Sequence, residues 1–125
     1  MKKIISSVNA PQPIGPYSQA VLVGETLYTS GQIAINPKTN GLEIESIQSE
    51  TDLVMQNLKA VLNEANMDFS NVIKCSIFIS DMNNFAQINE VYGKYFTDNF
   101  PARETVEVAC LPKNVNVEIS AIAVK

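Results

Sequence analysis

Apolar and polar positions change their spacing several times along the chain, and each change marks an element. From Ser46 or Ser49 to Ala65, Val54, Leu58, Val61, Leu62 and Ala65 recur three and four positions apart, which predicts an amphipathic helix. Ser49, with Asp52 three residues on, resembles a capping box in which Asp replaces the usual Glu or Gln. Between Val72 and Ser80 the period drops to two: Ile73, Cys75, Ile77 and Ile79 alternate with Lys74 and Ser76, which predicts a half-buried strand. A second helix is predicted over 84–98, with Phe85, Ile88, Tyr92, Tyr95 and Phe96 on its inner stripe. It runs despite Gly93, which costs about 1 kcal/mol relative to Ala, and Pro101 stops it.

Strands account for most of the remainder. Ala20 to Val23 and Thr26 to Ile35 flank Gly24-Glu25 as a tight hairpin, and Pro37 and Asn40-Gly41 mark the next turn. Glu104 to Cys110 and Val115 to Val124 form a final pair around Leu111-Pro112-Lys113-Asn114. Residues 10–19 hold three prolines and a glycine, which makes them an ordered loop or an extended lead-in. The order is strands, helix, strand, helix, strands: an α+β sheet with both helices on one face.

Parity then assigns the sheet faces. Val106, Val108 and Cys110, with Val117, Ile119, Ala121 and Ala123, are expected to face the helices. The opposite face then carries Arg103, Thr105, Glu107 and Ala109 beside Asn116, Glu118, Ser120, Ile122 and Val124. So mixed a face is awkward to leave in water, so self-association that buries it is expected, with the site at a subunit interface.

Composition narrows the chemistry. At 125 residues one domain over 1–125 is expected, and a net charge of −4 gives a nucleic-acid backbone little to hold. Histidine is absent, which removes the imidazole base, the nucleophile pairs built on it and the commonest metal ligand. Cys75 and Cys110 are too far apart for a CxxC motif and are read as buried small hydrophobes in a reducing interior. With neither a signal-peptide core nor a long apolar run, a cytoplasmic chain without a membrane anchor is expected.

Arg103 is the only arginine beside eight lysines, and its fork matches a carboxylate or phosphate as no lysine does. A surface or interface salt bridge is the simpler account of such a residue. Glu118, assigned to the same face, is either a structural partner of Arg103 or a base acting on water. Tyr17 either packs or closes over a ligand, and Asn89 by default lies on a solvated helix surface. Ser30-Gly31 brings backbone close to a ligand or forms a bulge.

Several ordered blocks extend this reading: Ile14-Gly15-Pro16-Tyr17-Ser18-Gln19-Ala20, Thr29-Ser30-Gly31-Gln32-Ile33, Asn57-Leu58-Lys59-Ala60-Val61-Leu62, Asn89-Glu90-Val91-Tyr92, Pro101-Ala102-Arg103, and Leu111-Pro112-Lys113 followed by Val117-Glu118-Ile119. Over nearly its whole length the chain resembles the reactive intermediate deaminase A family, also called YjgF-like, some of whose members are labelled L-PSP endoribonucleases or translation inhibitors. The resemblance implies a chorismate-mutase-like fold in a homotrimer with a central barrel and ligand clefts between subunits. It also implies cofactor-free hydrolysis of 2-imino acids, such as 2-iminobutanoate and 2-iminopropanoate, to 2-keto acids and ammonia, with no metal.

Carried onto this chain, the resemblance makes Arg103 the clamp on the substrate carboxylate and Glu118 the holder of the attacking water. Thr105 lines the pocket beside the imine carbon, Tyr17 closes over it, and Ser30, Gly31 and Asn89 complete its wall. Three positions depart from the family pattern: Thr105 stands where many members have Cys, Cys110 where an arginine is frequent, and Ser120 where a second Glu is frequent. Retention of Arg103 marks the imino-acid-binding branches. The rival readings are a non-catalytic module that binds a 2-keto acid or docks a partner, and an endoribonuclease or translation inhibitor.

Overall fold

A computed structural model describes all 125 residues and contains two helices on one face of a six-stranded sheet. Strands β1 (Lys2–Ile5), β2 (Ala20–Val23) and β3 (Thr26–Thr29) form an antiparallel meander. Helix α1 (Ile47–Glu64) leads to β4 (Val72–Ile79), α2 (Phe85–Gly93) to β5 (Ala102–Glu107), and β6 (Val117–Val124) closes the chain. The sheet order is β1-β2-β3-β6-β4-β5, and β4–β5 is the one parallel pair. The last strand therefore lies in the middle and holds the two halves together.

The predicted helices are present, as are their core stripes and the inner row of β4 from Cys75 on. Ile73, expected on that row, is 52% exposed because a bulge between Val72 and Lys74 turns Val72 inward in its place. Val54, Met55, Leu58, Val61 and Leu62 of α1 are buried against Leu27, Cys75, Ile77, Ile79 and the inward row of β6, Val117, Ile119, Ala121 and Ala123. Removing such side chains from water contributes about 1.5 to 3 kcal/mol each. The cap differs from the sequence expectation, since Ser46 caps α1 by accepting from the Ser49 N–H at 3.1 Å. Asp52 instead accepts from the Tyr95 hydroxyl at 2.5 Å, tying α1 to the end of α2.

Boundaries and faces differ in ways that matter for the site. Helix α2 ends at Gly93 rather than at 98, and the following turn tightens to three-residue hydrogen bonds from Lys94, Tyr95 and Phe96. Strand β3 ends at Thr29, and β1, whose paired lysines protect an exposed edge, has too short a pattern to stand out in the sequence. The larger correction concerns β5. Its register aligns Arg103 with Cys75 and Thr105 with Ile77, both buried on the helix side, so Arg103, Thr105 and Glu107 share that side. The expected inward row fails accordingly: Val106 is 41% exposed, and Cys110 lies exposed in the turn beyond the strand. As an edge strand, β5 has too little covered surface to imprint an alternating pattern on its sequence.

Polar side chains inside the core lock the connections. The Glu50 carboxylate is fully buried and accepts from the Asn116 N–H at 2.7 Å, the Asn116 side-chain amide at 2.7 Å and the Val117 N–H at 3.3 Å. It thus fixes the entry of β6, one residue before Glu118. Because both carboxyl oxygens accept from the strand and an amide nitrogen cannot, Glu50→Gln is expected to cost about 2 kcal/mol, read as a lower urea midpoint; an unchanged midpoint would show that the contact does not hold the strand.

Candidate functional site

The sequence-derived candidates fall into two groups. The first surrounds a cavity of about 540 Å³ at the end of β3, lined by Tyr17, Ser30, Gly31, Gln32, Lys113 and Glu118 among others. The second sits at the β5 edge, where Arg103, Asn89 and Thr105 lie together on the helix side. Glu118 belongs to the other side of the sheet, since Val117 and Ile119, its neighbours along β6, are both buried under the helices. The expectation that Arg103 and Glu118 share a face is therefore incorrect.

The cavity is built by a break in the sheet. Strand β3 pairs with β6 as far as Tyr28–Ile122, after which Gln32 pairs with Ile119, leaving one extra residue on the β3 side. Thr29 Oγ1 fills part of the gap by accepting from the Ala121 N–H at 2.9 Å. Ser30 donates its hydroxyl to the Ser18 carbonyl at 2.6 Å, so its side chain ties down the loop that carries Tyr17. Gly31 is required by the Glu118 side chain: a Cβ there would lie 2.3 Å from Glu118 Oε2 and 2.8 Å from its Cγ. The bulge and the glycine together make room for the carboxyl group.

Glu118 is half-buried, has no hydrogen-bond partner within the chain, and is held above the usual carboxylate range by desolvation. Such a group exchanges a proton closer to neutrality than an exposed glutamate does. Tyr17 is 55% exposed at the rim.

At the β5 edge, Arg103 forms no ion pair; the chain's one salt bridge joins Lys74 to Glu104. The guanidinium Nη1 donates to Asn89 Oδ1 at 2.6 Å, and its remaining N–H groups are free. Thr105 Oγ1 is buried without a partner. Asn89 thus contacts the arginine instead of lining the cavity with Glu118.

Some positioning residues escaped the sequence reading. Gln19, buried in the loop before β2, accepts from the Ser7 N–H at 2.6 Å and donates to the Ser7 and Pro11 carbonyls. Asn57 of α1 donates to the carbonyls of Ile33 and Ile35, fixing the far wall of the cavity. The signal was present in α1, where Glu50 and Asn57 interrupt the apolar stripe with polar groups. Lys113 and Asn114 both adopt left-handed backbone, φ 56° at each, and the resulting turn brings Lys113 to the cavity.

A family model described as endoribonuclease L-PSP matches residues 7–125. A RutC family protein of Pyrococcus horikoshii is 49% identical over 125 residues, covering 100% of this chain and 99% of that protein. A human protein named 2-iminobutanoate/2-iminopropanoate deaminase is 42% identical, covering 100% and 91%. The crystal structure of E. coli TdcF with bound serine superposes with a TM-score of 0.95 at 43% identity, covering 98% of each chain.

Two outcomes follow from the cavity. Because folding raises the Glu118 pKa, its contribution to stability is present at acid pH and is lost as pH rises through the folded value. Glu118→Gln is therefore expected to raise Tm at pH 7 and to change it little at pH 4; equal shifts at both would contradict the desolvation. Gly31→Ala is expected to displace the Glu118 carboxyl from its place on the cavity wall, read by NMR titration as a changed Glu118 pKa, with the fold retained by circular dichroism.

Proposed function

Because the chain belongs to the endoribonuclease L-PSP family, in which several relatives are named 2-iminobutanoate/2-iminopropanoate deaminase, we propose that it hydrolyses reactive 2-imino acids to 2-keto acids and ammonia. The observation that carries this reading is the pair of unsatisfied charged groups: a guanidinium with no acid partner and a desolvated carboxyl group open to a cavity. Arg103 binds the substrate carboxylate through its free N–H groups. Substrate fixed by that end presents C2, already electrophilic as the protonated imine, to a water held by Glu118.

The proton inventory is simple. Water adds to C2 as the C=N electron pair moves to nitrogen, and the Glu118 carboxylate takes the proton that water loses. The proton is returned to nitrogen, the C–N bond breaks, and ammonia leaves as the C2 hydroxyl gives its proton to the Glu118 carboxylate and becomes the keto group. The raised proton affinity of Glu118 suits it to each of these transfers. This reaction calls on no cofactor or metal.

The two groups lie on opposite faces of one sheet, so a small substrate meets both only where Arg103 of one copy approaches Glu118 of another. Burial of the open sheet face supports that assembly: Ile4, Val23 and Tyr28 are each 45% exposed or more, with Val21, Phe78 and Ile122 half-buried beside them. A homotrimer whose sheets close a central barrel, with three shared clefts, is the assembly we assign. The family description also names an endoribonuclease, but a net charge of −4 and the absence of imidazole do not favour RNA cleavage. No helix is long and apolar enough to cross a membrane.

The test generates the imine with a pyridoxal-phosphate threonine dehydratase and lets semicarbazide compete for it. The protein is expected to suppress semicarbazone formation, and Arg103→Ala to lower kcat/KM at least about a hundredfold, a loss of about 2.7 kcal/mol. Unchanged semicarbazone formation, or an Arg103→Ala protein as active as its parent, would overturn the reading. Tight 2-oxobutanoate binding without turnover would replace it with a binding module.

A further inference from the structure

Arg103 is a flexible side chain on an exposed edge strand, yet the structure holds its head group on three sides. Its Cζ lies 5.1 Å from the Tyr92 ring centroid and 5.5 Å from that of Phe85, both within cation–π range. Asn89 Oδ1 accepts from Nη1 at 2.6 Å. Phe85, Asn89 and Tyr92 are spaced four and three residues apart on α2 and so present one helix face to the guanidinium. The helix itself is anchored: Tyr92 is buried, its ring packs 5.0 Å from that of Phe96, and Tyr95 reaches across to Asp52 and Gln56 of α1.

We propose that this face of α2 is a positioning device for carboxylate recognition, in which Asn89 and the rings of Phe85 and Tyr92 orient Arg103 without neutralising it. The inference rests on Arg103 as the carboxylate clamp and adds what makes it effective. An acidic residue at position 89 would hold the guanidinium at least as firmly, but it would occupy the fork and cancel its charge. An amide oxygen takes one N–H and leaves the net charge whole. The aromatic faces act similarly, since a ring attracts the cation yet offers a substrate carboxylate no competitor.

The Tyr92 hydroxyl adds a second distinction. It is buried with no hydrogen bond of ordinary geometry, only a weak contact with the Cys75 thiol, and burial first, then that thiol, pushes its pKa far up, so it remains a neutral phenol. An orphaned hydroxyl costs stability and gives the arginine nothing that a phenyl ring does not. In this device Tyr92 serves through its ring.

The experiment measures KM and kcat for the imino acid, and Kd for 2-oxobutanoate by calorimetry, in variants of the assembled protein. Asn89→Asp is expected to raise KM and Kd about tenfold, with kcat within about twofold and Tm equal to or above the parent; Asn89→Ala is expected to fall between the two. A merely structural role gives the reverse order, Ala worst and Asp rescued, and that order would overturn the proposal. Tyr92→Leu is expected to raise KM about fivefold, whereas Tyr92→Phe restores it and raises Tm; a Phe variant as impaired as Leu would assign the role to the hydroxyl instead. If Arg103→Ala loses 2-oxobutanoate while Asn89→Asp retains parental affinity, the device alone fails. If Arg103→Ala retains it, the carboxylate clamp fails with it.

Discussion

Parity in the sheet is the constraint on which the site depends. The parallel register of β5 on β4 turns Arg103 toward the helices, and the antiparallel register of β6 turns Glu118 away from them. Neither orientation can change without inverting a whole strand, because a slip of one residue would expose every inward side chain of that strand. One chain therefore carries the groups proposed as anion receptor and proton carrier back to back. The chemistry assigned to them asks for two copies, and the apolar content of the open sheet face offers a reason for copies to meet.

Each half of the site is prepared by groups that position its charged side chain. On the cavity side, the one-residue bulge before Gln32 and the missing Cβ of Gly31 admit the Glu118 carboxyl, and Glu50 fixes the start of its strand. Polar anchors at Gln19, Ser30 and Asn57 hold the surrounding loops by their carbonyls. On the arginine side, α2 supplies an amide and two rings. On the cavity side the desolvated Glu118 carboxyl is left short of partners, a cost to stability that a bound water would relieve.

The parts of this arrangement that were legible in the sequence are those with strong periodicity. Helix α1 and the inward rows of β4 and β6 sit between the layers, and burial on one side writes a pattern that can be read. Edge strands carry no such imprint. For β5 this misplaced Arg103, Thr105 and Val106, although Arg103 itself stood out as the only arginine. The first strand was passed over because four residues, two of them lysines, show no period. Ser30-Gly31 was recognisable as a candidate bulge, which it forms, whereas the close packing of Glu118 on Gly31 is visible only in the structure. Asn89 looked like ordinary helix surface because its partner is fourteen residues away in sequence.

Complementation between two defective variants tests the shared site most directly. Arg103→Ala and Glu118→Gln proteins, each inactive alone, are unfolded together at equal amounts and allowed to reassemble. If every site takes its arginine from one copy and its glutamate from another, about a quarter of the sites regain both groups by random mixing, and deaminase activity returns to about that fraction of the parent's. Activity that stays at the level of the separate variants, in assemblies shown to contain both chains, would mean that the two residues do not meet across an interface and would contradict the account.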